Sequence, residues 1–242
     1  KKKKIYRSPR TGFRRMKNET ETITELNKAI RILEQTRDSL LPPPAAKPKN
    51  LEGRRVAICV GHSRAGDFGA TAPGGVTEYA WNKPIAHKVK ANLEALGCEV
   101  LVVDEYGFTV ALTYSQAMDF VATQVKDFEA ELVVELHFNS ASDRTVRGFE
   151  TLITGSQRGT ILGNCLQDAM AELFTGEPNR GVKTRTRNQR GSAFLFKCAP
   201  PAAILEPFFA SNFDAWETFK DRRDDIAHAY TMGLINYLEQ VS

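Results

Sequence analysis

Cysteine is scarce in this chain, four residues in 242, and no two of the four stand at a CxxC spacing. That argues against zinc-thiolate ligation and against a disulfide framework. Cys59 and Cys98 fall in apolar, strand-like runs (VAICVG and CEVLVV), where cysteine behaves as a small hydrophobe. Folding in a reducing compartment is the simplest expectation. No apolar run approaches the roughly 18 residues of a membrane span, so a soluble chain without a transmembrane segment is expected. The opening stretch KKKKIYRSPRTGFRRMK lacks both an initiator methionine and the apolar run of a signal peptide. Acid is missing from that stretch as well. Its nine Lys and Arg create the net charge of +4, and the rest of the chain carries 24 basic against 29 acidic residues. A nucleic-acid enzyme would carry basic surface on its folded domain, so the acidic body argues against that class.

What is present divides into regions. A basic tail covers residues 1–17. Residues 18–41 read as a helix, with Ile23, Leu26, Ile30, Leu33 and Leu40 at helical, nearly heptad spacing. Such a helix can serve self-association or attachment to a particle. Residues 42–52, rich in proline, read as an extended linker. From residue 53 to 242 strand and helix patterns alternate. RRVAICV, CEVLVVD, ELVVELHF, GFETLIT, SAFLFK and PAAILEPF read as strands. The helical patterns lie between them, with a long amphipathic helix closing the chain. The expected fold is α/β, a mostly parallel twisted sheet with helices on both faces, carrying the N-terminal helix as an appendage.

Two of the four histidines occupy unusual places. His62 follows Gly61 at the end of the first strand, and His137 ends the third, both at strand carboxyl ends where open α/β sheets place their chemistry. His87 and His228 lie in helical patterns and read as structural or exposed. Glu78 opens the first helix after the loop APGGV, and Glu206 ends the last short strand, within AAILEPFF. Taken singly, the histidines read as capping or hydrogen-bonded core groups, and Glu78 as a helix-terminus charge. Glu206 differs, because a carboxylate inside an apolar run is costly unless it is paired, metal-bound or catalytic. Two imidazoles and a carboxylate are the protein share of a catalytic zinc site. The spacings, 16 residues from His62 to Glu78 and 59 on to His137, are not diagnostic, and no compact HExxH is present.

VGHSRAGDFGA, TEYAWN, VVELHFNS, RGFETL and AILEPFFASN occur in that order. Together they resemble the zinc-dependent N-acetylmuramoyl-L-alanine amidases of the amidase-3 family, over roughly residues 54–240. The resemblance implies one Zn2+ held by His62, Glu78 and His137, with Glu206 as catalytic acid/base. It implies peptidoglycan as substrate, cut at the amide between the lactyl group of muramic acid and L-alanine. The chain departs from the family at Glu135, where a small residue is usual, and at Pro207, where glycine is common. Glu135 therefore enters as a second carboxylate near the metal. Asn82, one turn after Glu78, is expected to orient that carboxylate. Asn139 is expected either to meet a substrate amide or to form a turn. Arg180, in the stretch NRGVKTRTRNQRG, is expected either to contact stem-peptide carboxylates or to lie in a solvated loop.

Two other readings share these residues: a carboxypeptidase-like or aminopeptidase-like zinc peptidase, and a non-catalytic wall-binding module. The amidase reading places the action on extracytoplasmic peptidoglycan. Without a visible signal peptide, it suggests either a phage-type lysin made in the cytoplasm and released, or a trimmed secreted form.

Overall fold

The computed structural model describes residues 51–106 and 112–241, together with Leu26 and Lys28. The chain divides into two compact units, residues 1–47 and 48–242. Of the first unit only Leu26 and Lys28 are described, both helical. The basic tail, the rest of the helix expected over 18–41, the linker up to residue 50 and any attachment role for them lie outside the described residues.

The second unit is built on six strands: β1 (Arg55–Val60), β2 (Glu99–Val103), β3 (Leu132–Leu136), β4 (Phe149–Ile153), β5 (Asn179–Thr184) and β6 (Ala202–Glu206). They lie in the order β2-β1-β3-β6-β4-β5, and all pairings are parallel except β4 with β6. The expected mostly parallel α/β sheet is what is found. Its central strands read as unbroken apolar runs because both faces are covered. Val56, Ile58, Val60, Val134 and Leu205 pack on one side against helices α1 (Glu78–Glu94), α3 (Gln157–Leu173), α5 (Phe213–Phe219) and α6 (Arg223–Gln240). Ala57, Cys59, Val133 and Ile204 pack on the other against α2 (Tyr114–Asp127) and α4 (Ser192–Lys197). All four cysteines are free. Among the described residues no helix is long and apolar enough to cross a membrane.

The structure corrects three local expectations. SAFLFK, expected as a strand, is helix α4. Its run of apolar residues cannot by itself distinguish the two states, and β6, the strand beside it in sequence, has both edges occupied by β3 and β4. Asn179–Thr184, within the stretch weighed as a loop, is the edge strand β5. Its charged, exposed side chains are the usual protection of a sheet edge, and they hide its strand character. The closing helix is two helices. The Lys220 carbonyl accepts from the Trp81 indole at 3.2 Å, and the chain turns there before α6 begins at Arg223. Most of α6 is buried, and a narrow stripe with Asp225, His228 and Asn236 faces solvent.

Register carries the chemistry to one edge. Glu135 pairs with Cys59 on β1 and with Ile204 on β6, and Glu150 pairs with Glu206. Continuing those registers sets Gly61, His137, Glu206 and Glu150 in one row across four strands.

Candidate metal centre

The row owes its packing to a glycine. The His137 ring lies flat over the end of β1, and a Cβ on Gly61 would stand 2.3 Å from its Cε1. Only a residue without a side chain fits there. His62, the next residue, takes a positive φ of 58°. Histidine tolerates this better than bulkier residues, but it costs on the order of 1 kcal/mol. The turn swings the imidazole back over the sheet edge, where the two rings meet edge to face at 5.0 Å.

Glu78 enters from the first turn of α1. Thr77 caps that helix by accepting from the Ala80 N–H at 3.3 Å. Glu78 is 1% exposed, yet both its oxygens are occupied. Oε1 lies 2.7 Å from His137 Nδ1 and accepts from the Phe138 N–H at 3.2 Å, while Oε2 accepts from the Ala70 N–H at 3.1 Å. Oε2 is also 3.5 Å from His62 Nε2. Burial works to raise the Glu78 pKa, but His137 and His62 outweigh it and hold the carboxyl below its ordinary value. Gly69, at φ 74°, allows this crowding, since a Cβ there would meet Glu78 Oε2 at 2.6 Å and His62 Cδ2 at 2.7 Å.

His62 Nδ1 lies 2.9 Å from Asp67 Oδ1. That carboxylate also accepts from the Gly69 N–H at 3.2 Å and from Arg64 at 3.3 Å. Asp67 therefore holds the Nδ1 proton and points Nε2 inward, where it is buried without a hydrogen-bond partner. An orphaned imidazole nitrogen facing a buried carboxylate, with its far side on a second carboxylate, is the donor arrangement of a histidine–metal site. His62, Glu78 and His137 offer one ligand atom each, all within 4.8 Å of one another, the one such cluster among the described residues. The set fits a divalent cation with nitrogen and oxygen preference, zinc above all.

The cluster opens on a cavity of about 510 Å³. Glu206 lines it from the end of β6, and its Oε2 is buried without a hydrogen-bond partner. Burial pushes the Glu206 carboxyl up to about 8, against the pull of His137. The other acids of the cavity wall are committed. Glu150 accepts from Asn139 Nδ2 at 3.1 Å and from Arg180 Nε at 2.7 Å. Glu135 is held by Tyr106 and His137.

The remaining expected residues fall as follows. Asn82 does not reach the Glu78 carboxylate; its amide donates to the Glu78 main-chain carbonyl at 3.0 Å, because residues four apart in a helix meet along the backbone ladder. Asn139 lines the cavity, its amide donating to Glu150 at 3.1 Å and accepting from the Ser140 N–H at 2.9 Å, and its main chain forms a bridge to Phe209 rather than a turn. Arg180 lines the cavity, but its Nε is paired with Glu150 and its guanidinium lies 5.0 Å over the Phe209 ring. His87 pairs with Asp104 on the surface, away from the cluster. Asp67, Tyr106 and Glu150 went unnoticed in the sequence. For Asp67 a signal exists: a carboxylate five residues after His62, within the same glycine-containing loop.

A family model described as N-acetylmuramoyl-L-alanine amidase matches residues 56–236 of this chain. Among solved structures, the catalytic domain of CwlV, an N-acetylmuramoyl-L-alanine amidase from Bacillus (Paenibacillus) polymyxa var. colistinus, superposes with a TM-score of 0.63 at 24% identity, covering 76% of this chain and 98% of that one. The CwlD amidase from Clostridioides difficile, solved with the GerS lipoprotein, gives 0.69 at 22% identity, covering 78% and 100%. The catalytic domain of the CD27L endolysin targeting Clostridia difficile gives 0.62 at 24% identity, covering 76% and 97%. No curated protein sequence matches the chain significantly.

Proposed function

The chain belongs to the N-acetylmuramoyl-L-alanine amidase family, and from that premise we propose that His62, Glu78 and His137 hold a catalytic zinc while Glu206 moves the proton. The enzyme hydrolyses the amide between N-acetylmuramic acid and L-alanine in peptidoglycan, and its action is on the cell wall. Bound at the three ligands, zinc supplies a Lewis acid that polarises the scissile carbonyl and makes water at the site more acidic.

The observation that carries the reading is Glu206 Oε2, a buried carboxylate oxygen without a partner on the wall of the cavity beside the cluster. An amide leaves poorly as an anion, so its hydrolysis needs one group that takes a proton from water and returns it to the departing nitrogen. Glu206 suits that task. In the metal-free protein burial raises its carboxyl to about 8, so it holds a proton more readily than an exposed glutamate does. Glu150 is occupied by Arg180 and Asn139, and Glu135 by Tyr106 and His137, so neither competes for the role. Arg185 and Arg190 also line the cavity, and their charge suits carboxylates of the stem peptide. The fold is shared with an endolysin catalytic domain, which supports a bacteriolytic use of the same chemistry.

Glu206→Gln tests the assignment. The amide is nearly isosteric but cannot accept the proton, so turnover of muropeptide should fall ~10²–10⁴-fold with zinc content unchanged. A Glu206→Gln enzyme of near wild-type activity would remove Glu206 from the mechanism. With both variants saturated in zinc, a larger loss from Glu135→Gln than from Glu206→Gln would move the proton transfer from Glu206 to Glu135.

A further inference from the structure

His137 has two ring nitrogens, and each faces a different carboxylate. Nδ1 lies 2.7 Å from Glu78 Oε1, inside the ligand cluster, and Nε2 lies 3.1 Å from Glu135 Oε2. Glu135 stands two residues before His137 along the β3 direction, so both side chains project from the same sheet face. It is 4% exposed, a costly place for a carboxylate that has no task. Its second oxygen is taken as well, accepting from the Tyr106 hydroxyl at 2.8 Å. Tyr106 is itself buried just beyond β2, and its main-chain N–H donates to the Ser63 carbonyl at 3.0 Å. Burial and the nearby Glu135 keep the phenol protonated, so it remains the donor of that bond.

The chain Tyr106–Glu135–His137 repeats, on the second imidazole, what Arg64–Asp67–His62 does on the first. In both, an external donor anchors a carboxylate, and the carboxylate takes the imidazole nitrogen that points away from the cluster. The two rings use opposite nitrogens. Asp67 engages Nδ1 of His62 and leaves Nε2 inward, whereas Glu135 engages Nε2 of His137 and leaves Nδ1 inward.

We propose that Glu135, anchored by Tyr106, is a positioning residue that fixes His137 as its Nε2–H tautomer and thereby makes Nδ1 the metal-ligating nitrogen. The inference rests on the reading of His62, Glu78 and His137 as zinc ligands. Its consequence is an asymmetric site, one histidine binding through Nε2 and the other through Nδ1. A carboxylate on the far nitrogen also makes the ligating nitrogen more electron-rich, so Glu135 contributes to metal affinity without touching the metal.

Zinc affinity, measured by competition with a chromophoric chelator, and long-range ¹H–¹⁵N correlation spectra of the histidine rings in the zinc-loaded protein test this together. In the wild-type protein His137 should show a protonated Nε2 and a metal-shifted Nδ1, with His62 showing the reverse. Glu135→Ala should weaken zinc binding ~10–100-fold. Glu135→Gln, which keeps an acceptor but not the charge, should restore part of that loss. Tyr106→Phe removes the anchor without altering any group next to the metal, and should move the His137 Nε2–H resonance. A zinc-loaded His137 protonated on Nδ1 would overturn the inference while leaving the ligand set intact. Zinc affinities of Glu135→Ala and Glu135→Gln within about twofold of wild type would overturn it too. If zinc shifted neither the His62 nor the His137 resonances, the ligand reading itself would fall, and this inference with it.

Discussion

Glu206 should lower the stability of the metal-free fold, and the cost should grow with pH. Its carboxyl is pushed from an ordinary 4.5 to about 8, chiefly by burial, with no hydrogen bond to Oε2 to offset the loss of water. Because the folded-state value is raised, the protonated form is the one the fold prefers. The associated stability is fully present below 4.5 and is lost as pH climbs through about 8. One pKa unit corresponds to about 1.36 kcal/mol, so between pH 5 and 8 the change is on the order of 3 kcal/mol. Solvent reaches the residue from the cavity side, which reduces the expectation to ~2–3 kcal/mol. Glu206→Gln has nothing to titrate at this position. Urea unfolding of both proteins with zinc chelated, at several values from pH 5 to 8, isolates the effect, since all other groups are shared. The variant should gain on wild type by that amount as pH rises, a proton-transfer group maintained at the expense of stability. Two unfolding free energies that run parallel within ~0.5 kcal/mol across the range would show that Glu206 is not a strained carboxylate, and the reason given for its proton affinity would be wrong.

Gly61→Ala places a methyl group 2.3 Å from the His137 ring; it should cost ~1–3 kcal/mol in thermal or urea unfolding and displace the ring enough to lose most zinc by elemental analysis. His62→Ala and His137→Ala should each lose most of the roughly one zinc per chain that a mononuclear site carries, and full retention by both would contradict the ligand set. Chelation should abolish turnover and added zinc restore it without a refolding step, followed by circular dichroism, because the core beneath the site is packed without any contribution from a metal. A chain beginning at Pro48 keeps Leu51, which is 1% exposed in the core, and should cleave soluble muropeptides at the rate of the full chain.

Much of this was legible in the sequence for a definite physical reason. Strands covered on both faces are written as short apolar runs, so β1, β3 and β6 stood out, and any ionisable residue at their ends stood out with them. That is how His62, His137 and Glu206 came into view. Glu78 was visible as an acid opening a helix after a glycine-rich loop. The supporting residues were less visible because their partners are set by loop geometry and register. Asp67 reaches His62 only through the turn created by the positive φ of His62. Tyr106 lies beyond a different strand from the carboxylate it anchors. The spacing of Asn82 from Glu78 was right for contact, but spacing does not distinguish a side-chain carboxylate from a main-chain carbonyl. The same limit explains α4, whose apolar run suits either state, and β5, whose charged residues mask an edge strand.

The site of cleavage tests the central claim most directly. Purified sacculi digested with the protein, and the released muropeptides analysed by mass spectrometry, should yield stem peptides with a free L-alanine amino terminus and glycan strands with intact lactyl groups. Products cut within the stem peptide, or glycan chains shortened with their peptides still attached, would contradict it.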